Sequence, residues 1–297
     1  MPLDATGVAA ETVGLQSVII GDCLRELELI STGSCDVVVT SPPYNIGVGY
    51  RSYDDRRPRE EYLSWLGQVG QQLRRVLKDT GSFFLNVGST NSDPWIATDV
   101  AGSFRGAFTL QNHIIWAKSL SIGDDTVGHF KPISSSRFLN HNHESVFHFT
   151  KSGNVGVDRL SIGVPFKDKS NISRWGHSRD RRCAGNVWFI PYETVKSRAQ
   201  KFHHPSGFPI DLPARCIKLH GVADSTVLDP FLGAGTTLVA AERLGCRGIG
   251  IEIDPQYAET AIDRIRAEVS PAARAIDRGR DDSRRRGDRN RASSLAP

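Results

Sequence analysis

A run of valines that ends at two prolines constrains the fold of this chain more than any other feature. Asp36–Val39 reads Asp-Val-Val-Val, and consecutive valines predict a strand buried on both faces of a sheet. Pro42 and Pro43 follow, and proline cannot donate to a sheet ladder, so the strand must stop at Ser41. Ligands bind just beyond the carboxyl ends of strands in open α/β sheets. Taken alone, the turn is more simply explained as a strand end with a packed tyrosine, Tyr44.

A glycine turn between a strand and a helix is the second constraint. Thr226–Asp229 predicts a short strand, and Thr236–Leu244 predicts a helix that ends at Gly245. Arg247–Asp254 predicts the next strand and completes a βαβ unit. Glycines in such a turn let a ligand approach the backbone, and an acid at the end of the second strand can bind ribose hydroxyls. Glu252 is that acid.

The glycine turn differs from two well-known nucleotide motifs. A phosphate-binding P-loop needs lysine after its last glycine, but Thr236 follows Gly235. The dinucleotide pattern needs a third glycine where Leu238 stands. Two glycines after Asp-Pro-Phe suit an adenosine ligand without a pyrophosphate. A tight connection with no ligand is the structural alternative, and Glu252 weakens it.

Taken together, the motifs resemble the β-class of DNA amino-methyltransferases. In that family a motif similar to Ser41–Tyr44 binds the target amine, and it precedes a cofactor motif similar to Asp229–Thr237. Lys201–Pro213 is similar to the family's segment that closes over the methionine end of the cofactor. Ser17–Leu24 is similar to the family's N-terminal strand, whose acid lies near the adenine. With weaker matches between them, the likeness covers most of residues 17–268.

The resemblance implies a cofactor, a substrate and a set of site residues. The cofactor is S-adenosylmethionine, the substrate is double-stranded DNA, and no metal ion is expected. The implied cofactor-binding residues are Asp22, His204, Ser206, Phe208, Pro209, Asp229, Pro230, Phe231, Gly233, Gly235, Thr236, Thr237 and Glu252. The implied catalytic residues are Ser41, Pro42, Pro43 and Tyr44.

These four catalytic residues suit transfer of a methyl group to an exocyclic amine. Such an amine is a poor nucleophile because its lone pair is delocalised into the base. The Ser41 side chain and the Pro42 carbonyl would accept its two N–H groups and stabilise charge that develops on nitrogen. Pro43 would stiffen the turn, and Tyr44 would stack on a base that has left the duplex. The methyl group would pass directly from sulfur to nitrogen.

The identity of the base rests on one residue. In the family a serine at the first motif position leans toward cytosine N4, and aspartate or asparagine leans toward adenine N6. Ser41 therefore favours N4-cytosine, with N6-adenine as the alternative. A methyltransferase of another substrate and a non-catalytic DNA-binding protein are less favoured. Cytosine C5 methylation needs a Pro-Cys dipeptide, and zinc deamination needs His-x-Glu with Pro-Cys-x-x-Cys; neither occurs in the chain.

Length and composition indicate one large α/β domain with an insertion. The chain has 297 residues, 39% of them hydrophobic, and no apolar run approaches the ~18 residues of a membrane helix. The N-terminus lacks a signal-peptide pattern, and the five cysteines are scattered, which favours reduced thiols in the cytoplasm. His141–Glu144 and His203-His204 lack partner clusters for a metal. We expect a doubly wound, mostly parallel sheet with permuted motif order.

The predicted organisation has five parts. Residues 1–14 are expected to be flexible, and 15–150 form the catalytic half of the methyltransferase domain. Residues 151–200 form the inserted target-recognition region, and 201–269 form the cofactor-binding half. Residues 270–297 are an arginine-rich tail whose composition predicts disorder. A homodimer and a partner restriction endonuclease are left open.

The target-recognition region is strongly basic. Residues 151–201 contain eleven Lys or Arg against four Asp or Glu, which favours contact with phosphates. Aromatic residues that would stack on bases are interleaved with them: Phe166, Trp175, Trp188, Phe189 and Tyr192. A solvated segment with ordinary packing aromatics is the alternative. The position between the two motif blocks favours DNA contact.

The remaining elements follow from periodicity. Leucines and valines at helical spacing predict a helix over Glu60–Leu77, and apolar runs predict further strands at Ser82–Val87, Ala107–Trp116 and Ser145–Phe149. Ser119–Arg137 is polar and predicts a mobile loop. Asn45–Arg59 is polar and basic, and we expect it to act as a lid that orders over substrate.

Overall fold

The computed structural model describes residues 10–129, 132–174, 179–191 and 207–269. Of the predicted site residues, His204 and Ser206 lie outside the described residues. So do Trp175, Tyr192 and the arginine-rich tail. Within the described ranges, no helix combines the length and the apolar character that crossing a membrane requires.

One mixed sheet organises the described chain. Its strands are β1 Glu11–Val13, β2 Gln16–Ile20, β3 Cys35–Thr40, β4 Leu77–Val87, β5 Thr109–Ala117, β8 His143–Thr150, β9 Val187–Phe189, β10 Thr226–Asp229 and β11 Arg247–Glu252. Two further strands, β6 Ser119–Ile122 and β7 Asp125–Gly128, form a separate hairpin. The strand order of the large sheet is β1-β2-β11-β10-β3-β4-β8-β5-β9. Only β1 and β8 run against the others, so the expected mostly parallel sheet is confirmed.

Helices cover both faces of the sheet. They are α1 Cys23–Leu29, α2 Arg59–Val76, α3 Ile96–Ser103, α4 Ser170–Arg174, α5 Asp211–His220, α6 Thr236–Arg243 and α7 Pro255–Val269. Leu27, Leu66 and Val100 bring α1, α2 and α3 into one buried cluster, while Leu212 and Ala240 bring α5 and α6 into another. The doubly wound arrangement follows because apolar residues on both faces of the central strands need cover.

The strand order explains how the two motifs meet although they are far apart in the chain. β3 lies between β10 and β4, with Val37 opposite Val227 and Val38 opposite Leu228. The strand that carries the proline turn therefore lies beside the strand that carries the glycine turn. Seven parallel strands end at one side of the sheet, which we call the carboxyl edge; their last residues are Ile20, Glu252, Asp229, Thr40, Val87, Ala117 and Phe189.

Two segments that we expected to be irregular contain strands. Within residues 1–14, Glu11–Val13 pairs antiparallel with β2, since Gly14 at φ +60° makes the tight turn that returns the chain. Within Ser119–Arg137, β6 and β7 pair around Gly123, which also has φ +60°. The interpretations of both segments as unstructured are wrong at these strands, because single glycines supply the left-handed turns that hairpins need.

The segment predicted to be the target-recognition region does not start at the carboxyl edge. β8 runs antiparallel to β4 and β5, so the chain enters this region at the edge opposite the carboxyl edge. There, Asp158 N donates to Leu219 O at 2.7 Å and Ser161 Oγ donates to Lys218 O at 2.7 Å. The chain then returns along β9 beside β5. Trp188 is 1% exposed and Phe166 is 8% exposed. The interpretation of these two aromatics as base-stacking residues is therefore wrong, because both pack into the protein interior.

Candidate active site

A buried hydrogen bond joins the two motifs. Thr40 Oγ1, at the end of β3, donates to Asp229 Oδ1, at the end of β10, at 2.6 Å. The same oxygen accepts the Phe231 N–H at 3.1 Å. Burial raises the pKa of Asp229 to about 6, and these hydrogen bonds oppose that rise. Asp229 thus fixes the start of the glycine turn relative to the strand that leads to Ser41, and Pro230 beside it is also buried.

The glycine turn itself has a backbone that only glycine adopts easily. Gly233 and Gly235 have φ values of +54° and +80°. A Cβ on Gly235 would lie 2.7 Å from the Cβ of Ala261, so the turn also packs tightly against α7. Helix α6 begins at Thr236, whose hydroxyl accepts from Arg264 Nη1 at 3.1 Å. These contacts hold a left-handed loop at the N-terminus of a helix, the arrangement in which backbone N–H groups face a ligand.

Glu252 holds the glycine turn from the neighbouring strand. Its Oε2 accepts the Gly233 N–H at 2.7 Å, and its Oε1 accepts the Asp254 N–H at 2.9 Å. The side chain is 9% exposed, and burial raises the pKa of Glu252. An ionised carboxylate accepts about four hydrogen bonds. Two acceptor positions therefore stay available for ribose hydroxyls.

Other predicted cofactor residues surround this edge. Asp22 caps α1, accepting from Leu24 N at 3.0 Å and Arg25 N at 3.3 Å, and lies beside β11 because Gly21 N donates to Glu252 O. Thr237 donates to Val39 O at 3.3 Å. Phe208 packs at the margin of the α5 cluster, and the Pro209 carbonyl accepts from Leu212 N as α5 begins.

A hydrogen bond from helix α2 holds the proline turn. The Pro43 carbonyl accepts the Tyr62 hydroxyl at 2.6 Å, and Tyr62 is fully buried. Ser41 Oγ lies 2.9 Å from the Tyr44 hydroxyl. Tyr44 is half-buried, and both burial and the nearby Glu144 carboxylate raise the pKa of its hydroxyl well above the usual value. The phenol is therefore neutral at physiological pH.

Three polar residues lie behind Tyr44. Glu144 Oε2, at the start of β8, is 3.3 Å from the Tyr44 hydroxyl. Asn86 Nδ2, near the end of β4, donates to the same Glu144 oxygen at 2.7 Å and to the Tyr44 oxygen at 3.1 Å. Lys118 Nζ, just after β5, donates to Glu144 Oε1 at 2.5 Å. We call Asn86, Lys118 and Glu144 the polar wall of the site.

Sequence reasoning missed the polar wall. In the sequence, Glu144 stands out only as part of a candidate metal pattern, and Asn86 only as a residue of a predicted strand. An asparagine inside the apolar run Phe83–Val87 is the one signal that the sequence offered. Among the described residues, no group of three or more His, Cys, Asp or Glu side chains is arranged to hold a metal. His141 instead contacts Asn91 Oδ1 at 2.5 Å.

The segment after the proline turn folds around one buried carboxylate. Asp55 is 2% exposed and accepts three backbone N–H groups, from Asn45 at 2.8 Å, Ile46 at 3.1 Å and Val48 at 2.9 Å. Asn45 has φ +58° and exchanges two 2.8 Å hydrogen bonds with the backbone of Arg57. The segment is therefore an ordered loop that Asp55 organises.

This loop reaches the part of the chain that follows the glycine turn and β11. Arg51 pairs with Asp254 at 3.0 Å, and the Ser52 hydroxyl donates to Asp254 at 2.9 Å. Farther along, the Tyr53 ring lies 5.7 Å from Trp65, which lies 5.5 Å from Phe231 of the glycine turn. The loop thus connects the proline turn to the residues that follow Glu252.

The fold and the site define the class. A doubly wound sheet with a glycine turn, a buried acid on the adjoining strand and a Ser-Pro-Pro-Tyr turn at one edge is the arrangement of a Rossmann-like methyltransferase. A family model described as DNA methylase matches residues 35–263, and the chain belongs to this family. It is a DNA methyltransferase, and the family's cofactor is S-adenosylmethionine, as expected.

Individual similar proteins include enzymes named for adenine and for cytosine N4. The chain is 29% identical over 267 residues to Type II methyltransferase M.BglII of Bacillus subtilis, covering 86% of this chain and 70% of that protein. It is 29% identical over 259 residues to the DNA adenine methyltransferase YhdJ of Escherichia coli strain K12, covering 84% and 82%. The structure of the cytosine-N4-specific PvuII DNA methyltransferase superposes with a TM-score of 0.64 at 21% identity, covering 86% of each chain, which is a likeness of fold.

Proposed function

We propose that this protein transfers the methyl group of S-adenosylmethionine to N4 of a cytosine that has been flipped out of duplex DNA. The observation that carries the proposal is the position of Ser41. Its hydroxyl follows the last residue of β3, next to the strand that leads into the glycine turn. A neutral acceptor thus adjoins the turn that would hold the methyl donor.

The residues of the glycine turn suit the adenosyl part of the donor. Glu252 keeps acceptor capacity for ribose hydroxyls while its other contacts fix the turn, and Asp22 lies on the neighbouring strand end. Phe208 and Pro209, together with His204 and Ser206, would close over the methionine part. When bound, the cofactor supplies an electrophilic methyl group on a sulfonium.

The proline turn suits the amine. The Ser41 hydroxyl and the Pro42 carbonyl would accept the two N–H groups of the amine, which makes the nitrogen lone pair available and stabilises charge that develops on it. Tyr44 would stack on the extruded base, as base-modifying enzymes require. Pro43, held by Tyr62, limits reorganisation of these acceptors during the reaction.

Adenine N6 is the second candidate. The similarity to a DNA adenine methyltransferase at 29% identity favours it, because that relative covers most of the chain. Both bases present an exocyclic amine of the same chemistry, and a hydroxyl acceptor serves either one. Ser41 remains the reason to prefer cytosine.

The basic segment 151–200 would read the DNA sequence, and action on cellular DNA would place the enzyme in the cytoplasm. Three relatives are named Type II methyltransferases, which supports a partner restriction endonuclease that cuts the same unmethylated site. A homodimer is compatible with this role.

Nucleoside analysis tests the proposal. Duplex DNA of mixed sequence is incubated with the protein and S-adenosylmethionine labelled on the methyl group, then digested and separated. We expect label in N4-methylcytosine, its loss in Ser41→Ala, and its retention in Ser34→Ala, a half-buried serine that precedes β3 at the edge opposite the carboxyl edge. Label in N6-methyladenine alone would replace cytosine with the second candidate. No label in DNA would overturn both.

A further inference from the structure

Transfer of a methyl group to an amine releases a proton that Ser41 cannot keep. The amine loses one N–H hydrogen as its new N–C bond forms, and a serine hydroxyl is too weak a base to hold that proton. An aspartate at this position would be able to hold it. The proton must therefore pass beyond Ser41, and this requirement rests on the proposed function.

From this geometry we infer that the proton leaves through Ser41 and Tyr44 to the carboxylate of Glu144. Ser41 Oγ and the Tyr44 hydroxyl are 2.9 Å apart, and the Tyr44 hydroxyl is 3.3 Å from Glu144 Oε2. The second distance is long for an O–H···O bond, and such bonds commonly shorten when substrate binds. These three residues form a continuous path from the amine position into the polar wall.

The polar wall gives this path a direction. Ionised Glu144 only accepts, so the Tyr44 hydroxyl donates to it. Asn86 Nδ2 donates to the Tyr44 oxygen at 3.1 Å, and the Ser41 hydroxyl supplies the other donor to that oxygen. Ser41 then has lone pairs that can accept from the amine. The distant carboxylate thus makes a serine, which can donate or accept, behave as an acceptor.

Lys118 lies at the end of the path. Its ammonium contacts Glu144 Oε1, so the carboxyl group stays hydrogen-bonded before and after it takes up a proton. Tyr44 acts as a relay, since its raised pKa keeps the phenol protonated. Glu144 therefore acts through Tyr44 as a positioning residue and as the final proton acceptor.

The step balances as follows. The amine nitrogen attacks the methyl carbon, the carbon–sulfur bond breaks, and its electron pair remains on sulfur as the neutral thioether. One amine proton moves to Ser41 Oγ, the Ser41 proton moves to Tyr44, and the Tyr44 proton moves to Glu144. The products are the methylated base, neutral Ser41 and Tyr44, and a protonated Glu144 that later returns its proton to solvent.

A double-mutant cycle on single-turnover methyl transfer tests this path. Wild type, Tyr44→Phe, Glu144→Gln and the double variant are each loaded with labelled S-adenosylmethionine and mixed with excess duplex DNA. Each single variant is expected to slow transfer by roughly 10²-fold. The double variant is expected to be no slower than Tyr44→Phe, because Glu144 has no path to the amine once the phenol oxygen is gone.

Other results overturn the inference. An unchanged rate in Glu144→Gln excludes this path, and so do losses that multiply in the double variant, since a purely structural role would act independently of the Tyr44 hydroxyl. Glu268→Gln changes a partly buried glutamate of α7 that is paired with Arg243, and it is the matched control. An inactive wild type would overturn the proposed function as well, which separates the two failures.

Restored activity provides a second readout. Ser41→Asp in the Glu144→Gln background places a carboxylate directly at the amine, so the proton no longer needs the path. We expect at least a tenfold faster transfer than in Glu144→Gln alone. No gain, in a variant that binds S-adenosylmethionine normally, would contradict the inferred role of Glu144 as proton acceptor.

Discussion

Thr40 and Asp229, which are 189 positions apart in the chain, share a buried 2.6 Å hydrogen bond at the edge of the sheet. Thr40 directly precedes the proline turn, which we propose binds the target amine, and Asp229 begins the glycine turn. One contact therefore sets the spacing between the two halves of the site. This spacing decides whether a methyl donor in one turn can reach an amine in the other.

Thr40→Val should destabilise the protein and impair the site. Valine has the shape of threonine but leaves the Asp229 oxygen with one donor fewer, which costs about 1–3 kcal/mol of unfolding free energy for a buried group. Urea denaturation measures the change. Thr98→Val, at an exposed helical position, is the control and should change stability by less than about 0.5 kcal/mol. Equal stability of Thr40→Val and wild type would contradict the linking role of this bond.

Glu252→Gln should weaken binding of S-adenosylmethionine. Glutamine has one acceptor oxygen where Glu252 uses two, so its amide would oppose the N–H of Gly233 or Asp254. We expect at least a tenfold rise in Kd, measured by calorimetry without DNA. A Kd like that of wild type would remove Glu252 from the cofactor site.

Arg51→Ala should release the loop that connects the two halves. The pair with Asp254 is partly exposed, with 47% of the Arg51 side chain accessible, so the effect on global stability should be below about 1 kcal/mol. We expect faster hydrogen exchange over residues 45–57, and protection of that segment in wild type by cofactor and DNA together. Arg266→Ala, which breaks an exposed pair elsewhere, should leave this exchange unchanged.

Trp188→Ala distinguishes a packing role from a stacking role. The side chain is 1% exposed, so its removal should cost about 3–5 kcal/mol of unfolding free energy. Trp95, at 70% exposure, is the matched control, and Trp95→Ala should have little effect on stability. Loss of DNA affinity in a Trp188→Ala protein of normal stability would restore the stacking interpretation.

A buried histidine should make stability depend on pH. His148 is fully buried between Asn112 and Ser82, and burial lowers its pKa to about 4, with the nearby His220 acting in the same direction. Between pH 6.5 and 4 this histidine is protonated in the unfolded chain but not in the folded chain. The free energy of unfolding therefore decreases as the pH falls toward 4. Between pH 7.5 and pH 5, the free energy of unfolding of wild type should fall by about 2 kcal/mol more than that of His148→Asn. Parallel pH profiles of the two proteins would exclude the effect.

Local chemistry in the sequence determined the two turns and the elements that hold them. The strand at Cys35–Thr40 ends where the prolines require, and α2 at Arg59–Val76 lies within a residue of the predicted helix. The βαβ unit around Gly233 and Gly235 also forms as predicted. These features depend on residues close together in the chain, and their side chains constrain φ, ψ and burial directly.

Only the tertiary structure decided which distant side chains meet. Asn86, Lys118 and Glu144 come from three strand ends, and only the antiparallel insertion of β8 between β4 and β5 places Glu144 behind Tyr44. The interior position of Trp188 likewise depends on β9 pairing with β5. Strand neighbours are set by long-range packing and register, which no local pattern specifies, so the sequence determined the turns while the sheet order decided what faces them.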